Sequence, residues 1–413
     1  MTTLFGIEHA EVTALAAAVS DGDPADVFAR AAWTCIAEPG DRVAGVLVAT
    51  LGAASALTAL INRVPAADLV ARMLDHEVDE RLLGELTQAL ERWMPRLQLP
   101  DVRRSLTQAA RFRVQLLTPA AEHWPAGVDD LGAHTPLALW VRGELPMLAA
   151  LDRSIALVGA RAATGYGEHV AMEASAGLVD RGYAIVSGAA YGIDGMAHRA
   201  ALASKGVTVA VLAGGVDRFY PSGHDALLTR IVESGAVVSE VPCGVPPTKW
   251  RFLQRNRLIA AMSQATIVLE AGWRSGSLNT AGHAVSLGRP LGAVPGPVTS
   301  AASAGCHRLI RSYGAVCVTN ADEMAELAPI DVPLFRDSEI ETGISPHHSD
   351  ESRLRDTLSD RSPRTAADLA KRSGLSLGGV QALLGRLELE GAAIERDRGW
   401  MLAPPPKKEK PLA

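Results

Sequence analysis

The chain reads as an α/β protein: a parallel sheet covered on both faces, preceded by a helical module and followed by a winged helix. Three observations predict this. Six short apolar runs between residues 155 and 294 are continuous rather than alternating, with helical stretches and glycine-rich turns between them, the pattern of strands buried on both faces. Residues 1–115 instead space their apolar side chains at helical intervals. Close to the C-terminus, two helical patterns and a hairpin pattern follow one another directly.

In the first segment, residues 66–93 place Leu69, Met73, Leu82, Leu83, Leu86 and Leu90 at helical spacing among charged residues, and residues 1–115 are read as one helical module. Residues 43–61 are uncharged for nineteen positions, long enough on paper to cross a bilayer. Their Ala, Gly, Ser and Thr content and the Gly52-Ala53 break predict two short helices and no membrane insertion. The N-terminus lacks the basic and apolar regions of a signal peptide. The texture changes near Leu116-Leu117-Thr118-Pro119, which opens a sheet domain over 116–336 with strands at 155–158, 184–186, 207–212, 236–238, 266–269 and 292–294. Residues 337–351 are polar and aperiodic, a linker. In 352–403 a helix over 365–373, the turn Gly374-Leu375-Ser376, a helix over 377–390 and a hairpin over 393–402 make the winged helix. Val380, Leu383, Leu384 and Leu387 supply its inner face. The tail 404–413, Pro-rich with Lys407, Lys408 and Lys410, is expected to be disordered.

At 413 residues with a formal charge of −6, 48% apolar and 21% charged residues, the composition is that of a globular protein and excludes a wholly electrostatic, histone-like binder. Contact with a polyanion has to be a local patch. One exists: Lys249-Trp250-Arg251-Phe252-Leu253-Gln254-Arg255-Asn256-Arg257 holds four cations and two aromatics without a carboxylate. Cations hold phosphates, and rings accept any base; alone, the same run also reads as a solvated basic turn entering a helix. Lys249 is one of six lysines in the chain, so its place among arginines is unusual. Cys35, Cys243, Cys306 and Cys317 form no C-x-x-C pair, which fits buried thiols in a reducing cytoplasm.

Three strand ends carry loops of interest. The first, Gly159-Ala160-Arg161 to Gly167, is not G-x-G-x-x-G, yet its small residues, helix-start amides and Arg161 suit one phosphate. The second, Ser187-Gly188 to Asp194, precedes a helix that Asp194 is expected to cap, with His198 a hydrogen-bonded partner within the fold. The third, Glu270 to Thr280, offers Ser275, Gly276 and Asn279. Three such turns on one sheet edge, with the basic run between the second and third, predict one groove at the carboxyl ends of the strands. The chain shows no nucleophile elbow, H-E-x-x-H, P-loop or carboxylate cluster for a metal. Glu240 and Glu270 sit at strand ends without a partner nearby in sequence. The expectation is a binder and not an enzyme, with no cofactor and no metal.

These loops, in this order, resemble the DprA/Smf family of DNA-processing proteins. The matching residues are Ile155-Ala-Leu-Val-Gly-Ala-Arg161 with Thr164 and Tyr166-Gly167; Val186-Ser-Gly188 through Gly192-Ile-Asp194 and Ala197-His198; Tyr220-Pro221; Arg255-Asn-Arg257; Glu270-Ala271 with Ser275-Gly276-Ser277; Thr280-Ala281; Gly288-Arg289; and Ala293-Val-Pro-Gly296. They span roughly residues 116 to 320. The resemblance implies an extended Rossmann fold flanked by a helical (SAM-like) module and a winged helix. It further implies a homodimer that binds single-stranded DNA without cleaving it, protects incoming DNA during natural transformation and helps load the RecA recombinase. By position, Arg161, Lys249, Phe252, Arg255, Asn256 and Arg257 match the family's DNA-contacting residues; the reading of the loops adds Ser187, Gly188, Arg251, Ser275, Gly276 and Asn279. The chain departs in having Phe252-Leu253 for the usual Phe-Pro, which implies a less rigid loop entry. It also has His224 and His307 where Asn is common, His307 reading either as mildly pH-sensitive or as a packed neutral side chain. The second helix of the winged helix offers Gln381 and Arg386 against Glu388 and Glu390, so that module is read as a protein-contact or weak duplex-contact element. A competing reading, a phosphoribohydrolase-like nucleotide-processing enzyme, calls for a Glu just beyond the third turn, and 277–282 supplies none.

Overall fold

A computed structural model of the chain describes residues 4–73, 80–328 and 350–403; most of the expected linker and the whole tail lie outside these residues. The N-terminal module comprises the helices His9–Ala17, Pro24–Ile36, Arg42–Leu51, Ala53–Ile61, Ala66–Met73, Glu80–Trp93 and Leu99–Arg111. Aspartates start two of them: Asp23 accepts the Asp26 amide, and Asp41 those of Val43 and Ala44, satisfying donors a helix leaves unpaired. Phe28, Trp33 and Trp93 fill the core, the two indoles edge-on at 5.2 Å. The uncharged stretch forms two helices meeting at 110°, and among the described residues no single helix is long and apolar enough to cross a membrane. The bend falls on Gly52 at φ 79°, backbone that a Cβ disfavours.

Nine strands form one sheet: β1 (Gln115–Leu117), β2 (Leu139–Gly143), β3 (Ser154–Gly159), β4 (Ala184–Ser187), β5 (Thr208–Leu212), β6 (Ala236–Ser239), β7 (Ala265–Glu270), β8 (Leu291–Ala293) and β9 (Val316–Cys317), in the order β1-β2-β6-β5-β4-β3-β7-β8-β9. The β5-β4-β3-β7-β8-β9 portion is the parallel dinucleotide-fold order, in which the chain turns back beside its first strand. Parallel β6 and antiparallel β2 and β1 extend one edge, so the Rossmann core is an extended one. β3 to β8 were readable because both faces are covered, and Ile155, Ala156 and Leu157 are fully buried. β1, β2 and β9 were not: β1 and β2 add antiparallel to one edge, and β9 is two exposed residues. The topology reverses between β3 and β7, and the loops that follow those strands therefore diverge and leave a crevice.

The winged helix is built as the sequence predicts, from Ala366–Ser373, Leu377–Leu389 and the hairpin β10 (Ala393–Arg396)–β11 (Gly399–Leu402), preceded by the short helix Asp350–Arg355. Gly374 ends its first helix at φ 69°, and Ser376 caps the second. It sits against both other modules. Lys371 pairs with Asp101, Lys249 with Asp356 at 3.0 Å, and the Arg353 guanidinium lies 4.7 Å from the Trp250 ring centroid. Glu38 is the hub of this junction, accepting from Arg96 at 2.8 Å and from both ends of the Arg251 fork at 2.9 and 3.0 Å. Burial alone would raise the Glu38 pKa, but the two guanidinia outweigh it and hold the carboxyl at about 2.

Candidate functional site

The basic nonapeptide is the start of a helix, Lys249–Ala261, with Thr248 accepting the Arg251 amide as its cap. A helix turns about 100° per residue, so the nine side chains fan out to different neighbours. Phe252, Arg255, Asn256 and Ile259, spaced 3, 4 and 7 apart, face the crevice of the sheet. Trp250, Gln254 and Arg257 face the N-terminal module instead, where Arg257 and Gln254 close on Gly40. Two expected DNA contacts are consequently reassigned by their surroundings. Arg251 is buried on Glu38, and Arg257 is buried against Glu240, whose other oxygen accepts the Gly40 amide at 3.1 Å. Their charge is spent on carboxylates within the protein. Leu253 lies within the helix and lines the crevice, so no loop entry exists at that position.

The crevice is a cavity of about 640 Å³ at the carboxyl ends of β3, β4 and β7. Its β3 wall depends on two glycines. A Cβ on Gly159 would crowd Ile193 and the Glu270 carbonyl, and one on Gly192, at φ 75°, would overlap the carbonyls of Ala160 and Arg161. Thr164 caps the helix Gly165–Asp180 by accepting the Gly167 amide, while its own amide and hydroxyl donate to Glu270 at 2.9 and 2.6 Å. This locks the β3 loop to the end of β7. Arg161 stands exposed at the mouth, its guanidinium 4.9 Å from the Phe252 centroid, with no ion pair among the described residues. Lys249, its side chain 80% exposed, lies one turn before Phe252 on the same helix, where positions three apart are neighbours. Its ammonium is paired with Asp356 of the winged helix at 3.0 Å, so of the two cations only Arg161 lies over the ring.

Arg255 forms the floor. It is buried, donating to the Gly188 carbonyl at 2.6 Å and to that of Val211, while its Nε lacks a protein partner. Burial lowers its pKa to about 10, with Asp194 opposing and Arg161 adding to the fall, so it stays charged at neutral pH. Gly188 is there to let Arg255 through, since a Cβ would overlap the guanidinium. Asp194 does not cap its own helix, whose N-cap position is Gly192; its carboxylate accepts the amides of Gly188 and Ala190. Burial pushes the Asp194 pKa up, against the pull of Arg255. Asn256 donates to Asn279 at 3.1 Å.

Of the twelve residues singled out from sequence, the fold brings Arg161, Phe252, Arg255, Asn256, Ser275 and Gly276 around this one cavity. Lys249 stands beside it, Asn279 braces Asn256, and Ser187 is fully buried, donating to Leu157. The sequence reading passed over Arg274, which lines the cavity from the third loop and is exposed. It also passed over Tyr220, whose ring meets Phe252 at 5.6 Å. Both stand inside motifs already quoted, and a cation or ring at a strand-end loop was the available signal. His198 is buried and bonded to Thr208, and burial lowers its pKa to about 3. His224 and His307 bond the carbonyls of Ala189 and Gly296. On the winged helix, Arg386 is taken by Glu351 and Glu390. The thiols of Cys243 and Cys306 are buried, Cys35 is half-buried and Cys317 is exposed.

Residues 115–329 match the family model described as DNA recombination-mediator protein A, and residues 341–397 that of the DprA winged helix domain. A DNA processing protein DprA of Mycobacterium tuberculosis is 47% identical over 299 residues, 70% of this chain and 77% of its own length. The DNA processing protein DprA of Bacillus subtilis is 32% identical over 251 residues, 61% of this chain and 82% of its own. The crystal structure of DNA processing protein A from Streptococcus pneumoniae superposes with a TM-score of 0.57 at 26% identity, covering 73% of this chain and 97% of that one.

Proposed function

The chain belongs to the DprA/Smf family of DNA-processing proteins, and on that premise we propose that it binds single-stranded DNA at the carboxyl edge of its sheet, holds it without cleaving it and passes it to the RecA recombinase. The observation that carries this is the Arg161 guanidinium stacked 4.9 Å from the Phe252 ring at the mouth of the cavity. One contact there offers a cation for a phosphate and a ring for any base. Arg274 adds accessible charge at the cavity, Lys249 adds an exposed ammonium that is shared with Asp356, and Arg255 adds fixed charge beneath. The carboxylates of an alternative hydrolytic reading support binding instead: Glu270 holds the Thr164 cap, Glu240 holds Arg257, and Asp194 holds two amides. A cytoplasmic homodimer that shields incoming strands is part of the same proposal.

The test is a gel shift comparing oligothymidine with a duplex of equal length, with and without RecA. The single strand should shift first, stay its original length, and shorten the lag of RecA filament growth. Four neutralised phosphates predict a log–log salt slope of about −3 for single strands. Preference for the duplex, shortening of the strand, or unchanged affinity in an Arg161→Ala, Lys249→Ala double variant refutes the proposal.

A further inference from the structure

We propose that Tyr220 and Arg218 form a second nucleotide subsite, one step along the strand from the Arg161–Phe252 pair; this rests on the single-strand reading above. Tyr220 lies beyond β5, in a part of the chain that the three strand-end loops do not include. Its ring centroid is 5.6 Å from that of Phe252 at a tilt of 54°, so the two rings adjoin without covering each other face to face. Tyr220 remains 50% exposed although it packs on another ring.

Tyr220, Phe252, Gly188 and Pro247 line a crevice of about 10 Å³, room for about one water, and among the described residues its one charged lining residue is Arg218. Arg218 is exposed and makes no ion pair among the described residues. Its neighbour Asp217 is buried and turned away, accepting from the Gly244 amide at 2.9 Å and from Gln108 at 3.3 Å. An exposed guanidinium beside an exposed ring, with no carboxylate lining the same crevice among the described residues, is suited to one phosphate and one base on the surface above it. The surface therefore runs cation, ring, ring, cation from Arg161 through Phe252 and Tyr220 to Arg218. The first pair holds one nucleotide at the cavity mouth, and Tyr220 with Arg218 holds the next.

The experiment is fluorescence anisotropy of labelled oligothymidine on the full chain. Tyr220→Ala is expected to weaken binding about tenfold, and Tyr220→Phe, which keeps the ring, to bind as the parent does. Arg218→Ala, at an exposed site, should reduce the magnitude of the salt slope by about 0.7, one phosphate's worth. A subsite of its own also requires that Tyr220→Ala weaken an already Phe252→Ala variant by a similar factor. If it adds nothing there, Tyr220 merely props Phe252 and the subsite is refuted. Parent-like binding by both Tyr220→Ala and Arg218→Ala refutes it too, provided the Arg161→Ala, Lys249→Ala variant still loses binding. Should that double variant also bind normally, the single-strand reading itself falls.

Discussion

Replacing Phe252 with leucine keeps an apolar side chain on the helix and removes the ring that meets both Arg161 and Tyr220. The ring centroid lies 4.9 Å from the Arg161 guanidinium carbon, 5.8 Å from that of Arg255 and 5.6 Å from the Tyr220 centroid. Two effects follow for binding. A base loses its stacking surface, a loss of about 1–3 kcal/mol. Arg161 loses a cation–π contact of about 0.5–1 kcal/mol, but it loses it in the free protein as well, so that term largely cancels. The net expectation is a Kd raised roughly 5- to 150-fold, since each 1.4 kcal/mol is tenfold. The assay is anisotropy with oligothymidine and oligodeoxyadenosine across a salt series. Because no charge is removed, the salt slope should stay at the parent value, and both oligonucleotides should lose affinity alike. A change under about twofold, or a loss that flattens the salt slope, refutes the assignment of Phe252 as the stacking platform.

Three further outcomes follow from the structure. Gly188→Ala forces its methyl into the buried Arg255 guanidinium, and should cost about 1–3 kcal/mol of stability and weaken single-strand binding; Gly165→Ala, whose Cβ meets nothing within 4 Å, is the neutral control, both read by thermal melting and anisotropy. Arg257→Ala leaves Glu240 buried without its partner, a loss of about 3–5 kcal/mol in urea titration, while replacing both by apolar residues restores most of it and leaves the salt slope of DNA binding unchanged. Acid should destabilise the fold in two stages, followed by urea midpoint against pH. His198 has its pKa lowered from 6.5 to about 3, so the unfolded chain takes up a proton that the folded one refuses, and stability falls as pH drops from 6.5 toward 3. Glu38, lowered from 4.5 to about 2, contributes fully above pH 4.5 and loses about 3 kcal/mol as pH falls toward 2. His198→Asn should make the upper limb shallower, and Glu38→Gln should remove the lower one; unaltered limbs refute these assignments.

Much of the architecture was legible because it rests on local pattern. An apolar run such as Ile155-Ala-Leu-Val158 has to be covered on both faces wherever it lies, and a Gly374-Leu375-Ser376 turn between two amphipathic helices closes as a winged helix whatever surrounds it. Partnerships were not legible, because the partners are far apart in the chain. Glu38 stands 213 residues from Arg251, and Glu270 106 residues from Thr164. The carboxylates at strand ends therefore looked unattached, and the arginines looked free.

From the sequence alone came six of the nine strands, the edge on which the glycine loops gather, and the presence of cations and rings beside it. Which cations reach solvent was settled by tertiary structure. Density of charge along the chain says nothing about direction, and a helix rotating by 100° per residue sent Arg251 and Arg257 to interior carboxylates and Arg255 to the cavity floor. Arg161, from a loop about ninety residues earlier, was brought over Phe252 instead.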